Sequence, residues 1–280
     1  MYSLFISGGI GLVLLLALGF TGAANWVWSC IWGLLAFFAG NACIGLVINK
    51  KIKAMMAELQ GIMLQGQKRM QEKTQAWRFR PPGSIKQAQI EMQKMQHGFI
   101  EKALEYSGNF ARYEKWSPLL SRQIATMRMQ LNYQDRNFKA VDELLPKCLL
   151  LDHLTTSMAI ARVYMRDGYK AAKDKKGRDV PNEIDKYFEK GVSRMKYGQG
   201  ALLYGLYAWI KIKENDVDGA FNVLLRASKK MENDCVKYNI DLLKNNKPKQ
   251  FSLAGLGDEW YALGLEEPRV KMQRSPQRPF

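Results

Sequence analysis

The sequence predicts an all-α membrane protein in which a hairpin of two transmembrane helices carries a basic domain built from repeated helix pairs. Three observations lead there. No Asp, Glu, Lys, Arg or His occurs from Met1 to Asn49. Beyond Lys50, apolar residues recur at steps of three and four, the spacing of one helical face. One set of apolar and small residues then returns three times in the second half of the chain. The expected divisions are a hairpin at 1–49, juxtamembrane amphipathic helices at 50–117, a helical repeat domain at 118–265 and a basic disordered tail at 266–280.

A bilayer core takes about 20 apolar residues in a helix, because backbone groups find no water there and must bond within the segment. Leu4 to Phe20 and Trp26 to Ile48 both fit, joined by a short turn at Thr21-Gly22-Ala23-Ala24-Asn25. Trp26, Trp28 and Trp32 lie at the start of the second span, where indole rings favour the headgroup layer. Small residues at four-residue spacing, Ser7/Gly11 in the first span and Ser29/Gly33 and Ala36/Gly40 in the second, let two helices approach closely. Lys50, Lys51 and Lys53 form a membrane-proximal basic group directly after the second span. By the positive-inside rule they put both termini in the cytoplasm, with a bacterial inner membrane as the expected location. The rival reading is a cleaved leader ending near Ala24, which would export the domain. A leader has a positively charged start, and Met1-Tyr2-Ser3 has none.

From Lys50 to about Trp77 the apolar positions Ile52, Met55, Met56, Leu59, Ile62, Met63 and Met70 continue the second span as a stalk. Pro81-Pro82-Gly83 breaks it. A second amphipathic run, with Ile85, Ala88, Met92, Met95, Phe99 and Ala103, leads toward Trp116. The pair reads either as an ordinary folded helix pair or as a partner-binding, self-associating stalk. Net charge is +16, and residues 50–80 hold eight Lys/Arg against two Glu. Basic side chains beside a bilayer favour anionic lipid, so membrane lipids are an expected partner.

The threefold set is Phe138, Val141, Leu145, Cys148; Pro181, Ile184, Phe188, Gly191; and Val217, Ala220, Leu224, Ala227. The preceding helices carry Ile124, Met127, Arg128, Leu131; Ser157, Ile160, Ala161, Tyr164; and Tyr204, Tyr207, Ala208, Lys211. These residues resemble tetratricopeptide repeats, most clearly over Tyr204–Glu232, where Asn215 to Ala220 look like the family's turn and second-helix start. Arg128 and Lys211 depart from the pattern, and a basic insertion, Tyr169 to Asp179, is expected as an exposed loop. A helix at Cys235–Asn246 caps the stack, and residues 251–265 pack back on it through Trp260 and Tyr261.

The resemblance implies a TPR-like α-solenoid whose first helices line a groove for a peptide or partner helix. Met129, Tyr133, Arg162, Arg166, Trp209 and Lys213 fall on the groove side. Arg162 and Arg166, one turn apart, suit an acidic peptide or a C-terminal carboxylate. The alternative is that they are ordinary solvated charges.

No phosphate-loop, zincin or nucleophile-elbow motif occurs. Cys30, Cys43, Cys148 and Cys235 are scattered, with only His97 and His153 to join them, which argues against a disulfide framework or zinc site. Asp258-Glu259 and Glu266-Glu267 read as solvated charges or helix-start residues. No enzyme activity, cofactor or metal is expected. Nucleic acid is not expected either, because aromatics are not interleaved with the basic clusters. The expected function is a membrane-anchored cytoplasmic protein–protein interaction scaffold, a subunit of a larger membrane complex. The alternative is a self-associating, lipid-contacting structural protein of the membrane.

Overall fold

A computed structural model describes residues 2–20, 25–80, 82–116, 119–170, 172–173 and 179–267, whose regular elements are helices apart from one strand pair of two residues each. Two compact units divide the chain, residues 1–149 and 150–280. The parting lies at 149/150 rather than at the expected 117/118.

The first unit begins with α1 (Tyr2–Phe20) packed antiparallel on the first part of α2 (Trp26–Phe79). Both are long and apolar enough to cross a membrane. The connecting residues 21–24 lie outside the described residues. The buried residues of α1 are Ser3, Ser7 and Gly11, the small stripe expected to face its partner. On α2, Ser29 and Gly33 are buried opposite them. The approach is close enough that a Cβ on Gly11 would lie 2.7 Å from the Gly33 carbonyl, and one on Gly33 3.0 Å from the Gly11 carbonyl. The Ser7 hydroxyl donates back to the Ser3 carbonyl (2.7 Å), so the seam holds no unpaired polar group there. Leu12, Val13, Leu34 and Leu46 point outward at 58–70% exposure. A soluble core helix buries such side chains.

α2 runs 54 residues without interruption, about 80 Å at 1.5 Å per residue. A bilayer core is about 30 Å thick, less than half of that length. The remainder is the expected stalk, ending at Phe79 before Pro82-Gly83. α3 (Ile85–Ser107), N-capped by the Ser84 hydroxyl, which accepts from the Gln87 amide at 3.1 Å, returns along it. Gly66 admits the Phe99 ring, which lies 2.6 Å from where a Cβ would stand.

α4 (Leu120–Gln134) and α5 (Phe138–Leu144), the expected first repeat, belong to this unit. Leu131 joins Leu59, Ile100 and Ala103 in one apolar cluster, and Leu120 and Ile124 join Phe110 in another. The apolar face of α3 is thereby covered by α4, which is why the boundary falls after it. Arg128, one departure from the repeat pattern, reaches out to donate to the Ser107 hydroxyl (2.8 Å) and carbonyl (3.1 Å). His97 of α3 pairs with Asp135 beyond α4 at 2.7 and 2.9 Å, and that bond and charge hold the imidazole above the usual histidine range. A raised folded-state value makes the contact stabilising at pH below about 6.5 and lost as pH rises through the folded-state value. An NMR titration is expected to put the His97 midpoint above that of a free histidine, and Asp135→Asn to return it. An unshifted His97 in the unsubstituted chain would contradict the contact.

The second unit holds α6 (His153–Asp167), α7 (Glu183–Arg194), α8 (Ala201–Lys213), α9 (Val217–Ser228) and α10 (Asp234–Lys244). α6 packs on α7 and α8, α8 on α9, and α9 on α10. Asx side chains start four of these five helices, α8 beginning at Gly200 instead: Asp152, Asn182, Asp216 and Asn233 accept from the amides of Thr155, Asp185, Gly219 and Val236. The α4–α5 and α8–α9 turns share one geometry. Arg136 and Asn215 are left-handed (both φ 59°), and Asn137 and Asp216 follow as caps, each donating its amide 2.9 Å to the carbonyl five residues back. The α6–α7 connection differs because it carries the insertion. Within the segment expected as an exposed loop, Ala172–Lys173 pair antiparallel with Asp179–Val180, and residues 171 and 174–178 lie outside the described residues.

Most of the repeat positions are core, although Pro181 is exposed and Phe138 and Val217 are half-buried. Val141, Ile184, Phe188, Ala220, Leu224 and Ala227 are at most 2% exposed. Phe188 stacks on Tyr207 (3.9 Å, 7° between planes) and meets Tyr204 edge-on at 5.5 Å.

Candidate functional site

The six residues predicted for a groove do not form one surface. Met129 and Tyr133 are 0% and 3% exposed, core residues of the first unit. Helix α4 turns its apolar side inward, and Tyr133 meets Phe138 edge-on at 5.7 Å. Trp209 is also buried, at 7%. Arg162 is half-buried, whereas Arg166 and Lys213 are exposed.

What covers Trp209 is the chain's own C-terminal arm. Residues 251–267 follow α10 and lead through a single turn, Asp258–Tyr261, to Glu266. Trp260 has no exposed surface and meets Trp209 at 5.6 Å. The two indole N–H groups donate to one carboxylate: Trp209 to Glu266 Oε1 at 2.8 Å and Trp260 to Glu266 Oε2 at 3.1 Å. Leu253 packs over Gly205, whose missing side chain leaves room for it. Asn239 of α10 fixes the start of the arm by donating to the Ser252 carbonyl (2.8 Å) and accepting the Ser252 amide (3.1 Å). Trp260 is the anchor predicted from sequence, but Tyr261 is only half-buried. Glu266, read from sequence as a solvated charge, is the group that joins both indoles. The adjacency of two glutamates hides this, since the partners lie six and 57 residues away. The predicted disordered tail lies outside the described residues from 268 onward.

Around the arm, the surface of α6 and α8 is cationic. Lys213 lies 4.8 Å from the centroid of the Trp209 ring, and Tyr164 meets that ring edge-on at 5.6 Å. Arg166 donates to Asp167 (2.9 Å) and lies 3.6 Å from Glu183. The guanidinium holds the Asp167 carboxyl below its usual range.

Deeper, Asp185 accepts from Tyr207 (2.7 Å) and Tyr169 (3.1 Å), and Tyr169 accepts from Lys211 (2.8 Å). Burial and then the Asp185 carboxylate push the Tyr207 phenol far above the tyrosine range. Burial opposes the Lys211 ammonium, but Tyr169 and Asp216 outweigh it and hold the group above the usual lysine range. Neither side chain is poised for proton transfer near neutral pH. Since Asp185 also closes the α7 capping box with Asn182, the cluster pins the base of the insertion. It also explains why Lys211 departs from the repeat pattern.

Among the described residues no group of three His, Cys, Asp or Glu could hold a metal. Lys50, Lys51 and Lys53 follow the apolar part of α2 directly and are all exposed. No protein-family model, curated protein or solved structure matches this chain.

Proposed function

We propose that this chain is a membrane-anchored interaction scaffold, a subunit of a larger membrane complex, with both termini in the cytoplasm of a bacterium. In this reading TPR-like helix pairs, held near the bilayer by an unbroken α2, dock an acidic segment of a partner protein. The repeated turn at Arg136-Asn137 and Asn215-Asp216 supports a common repeat unit. The observation that carries the docking assignment is the run of Arg162, Arg166 and Lys213 along α6 and α8. With Met129, Tyr133 and Trp209 in the core, the docking set reduces to these cations, and a partner carboxylate must compete with Asp167 and Glu183 for Arg166.

Pull-down of the detergent-solubilised protein tests it. Arg162→Glu and Arg166→Glu should each weaken capture about tenfold or more, since a charge-assisted bond is worth about 1.5–3 kcal/mol. Unchanged partners in both variants would sink the assignment.

One feature favours a self-associating structural protein instead. Leu64, Phe79 and Ile85 on the stalk and α3 are 67%, 87% and 65% exposed. Crosslinking in membranes separates the readings: products containing this chain alone support self-association.

A further inference from the structure

We propose that a cleft at the base of the stalk binds the phosphate headgroup of an anionic phospholipid. The cleft, about 420 Å³, lies between α2 and the 3-10 segment Gly108–Tyr113 that follows α3. Lys51 lines it from α2, and Asn109, Arg112 and Tyr113 from the 3-10 segment. Neither Lys51 nor Arg112 forms an ion pair with a described residue. Two cations lining one cleft repel each other unless an anion joins them, and the acid that lines it with them, Glu58, is engaged by Tyr106. A phosphate suits the set: the guanidinium gives a bidentate fork, the ammonium a point charge, and Tyr113 and Asn109 neutral donors.

The cleft is polarised. Glu58, its acidic group, lies two turns further along α2 than Lys51, about 10 Å away. There it accepts the Tyr106 hydroxyl at 2.5 Å, so the anion belongs at the Lys51 end.

That end is level with the start of the apolar layer. The Tyr2 amide donates to the Lys115 carbonyl (3.0 Å), the Ser3 hydroxyl to the Trp116 carbonyl (3.0 Å), and the Tyr2 and Trp116 rings meet at 5.6 Å. The segment carrying Arg112 and Tyr113 is thus tied to the first turn of α1, just before its apolar run. Val47, one turn before Lys51 on the same face of α2, is 59% exposed and offers an apolar stripe to an acyl chain. A free phosphate would use the cations but not the stripe.

The proposal rests on α1 and α2 being membrane spans. The test is native mass spectrometry of the full chain in neutral detergent, titrated with phosphatidylglycerol, with phosphatidylcholine and with inorganic phosphate. Phosphatidylglycerol should be retained over phosphatidylcholine by about fivefold per cleft cation. Lys51→Ala with Arg112→Ala should abolish that preference, and Arg112→Lys should keep part of it. Lys50→Ala with Lys53→Ala, which removes the same charge outside the cleft, should leave it. Arg112→Gln, at an exposed position, carries the same test if the double variant loses its circular dichroism. Equal loss from both lysine–arginine and lysine–lysine pairs would overturn the proposal in favour of a diffuse surface field. Displacement of the lipid by inorganic phosphate, or the absence of any preference, would also overturn it. Carbonate washing of membranes distinguishes the underlying failure: release of the chain means that the spans are misassigned, whereas retention without lipid preference refutes the headgroup site alone.

Discussion

Replacing Trp260 with alanine is expected to destabilise the second unit by about 3–5 kcal/mol, the usual cost of deleting a fully buried tryptophan. The loss has three parts. The side chain is 0% exposed, its ring meets Trp209 edge-on, and its N–H is one of two that Glu266 accepts. Urea unfolding of the full chain, followed by circular dichroism, reads the change. Glu266→Ala leaves both indole N–H groups without an acceptor and should cost about 1–3 kcal/mol, whereas Glu266→Gln, which keeps a carbonyl oxygen, should cost less. A shift under about 1 kcal/mol for Trp260→Ala, the scale of an ordinary surface substitution, would mean that the arm does not dock on α8. The same variant bears on binding. If the arm limits access to α8, loosening it should expose Trp209 and raise capture of an acidic partner.

The second large effect is expected in the hairpin. Gly11→Leu places a side chain where the Gly33 carbonyl already lies within 2.7 Å of the first added carbon and Phe37 Cβ within 3.1 Å. Backbone cannot yield there without separating the helices, at a cost of about 1–3 kcal/mol or more. A disulfide provides the readout. The Cβ of Gly40 would stand 3.6 Å from that of Ser7, within the range that disulfides span. Ser7→Cys with Gly40→Cys, in a chain whose Cys30 and Cys43 are serine, should oxidise readily in membranes. Adding Gly11→Leu should abolish the bond, while Gly8→Leu, with nothing within 4 Å of its Cβ, should leave it intact. Efficient crosslinking in the presence of Gly11→Leu would contradict the observed packing.

Interactions local in sequence were legible without a structure. The spans follow from 49 residues free of charge, the seam from serine and glycine four apart, and the unbroken stalk from apolar spacing through Lys50. The three-four-three spacing marks one helical face, and its later members, from Val141, Ile184 and Ala220 onward, are buried, whereas Phe138 and Val217 are half-buried and Pro181 is exposed. Each of these signals is a period along one helix, and period is what sequence displays.

The groove was not legible, because which face of a first helix stays open depends on elements far along the chain. Met129 and Tyr133 lie in the core of the first unit, where Tyr133 meets Phe138, and Trp209 is buried because residues 251–267 fold over α8. Long cations were read as breaks in the repeat, yet Arg128 and Lys211 find Ser107 and Tyr169, 21 and 42 residues away. Glu266 was read as solvent-facing for the same reason. The residues alone are thus enough for the helical class, the two long apolar helices, the unbroken run of α2 and most of the buried repeat positions, all set by neighbours one or two turns apart. Where the units part, which charges are held and which of the six expected groove residues stay exposed come from the tertiary structure. Those outcomes depend on long-range burial, which removes a side chain from water whatever its local pattern suggests.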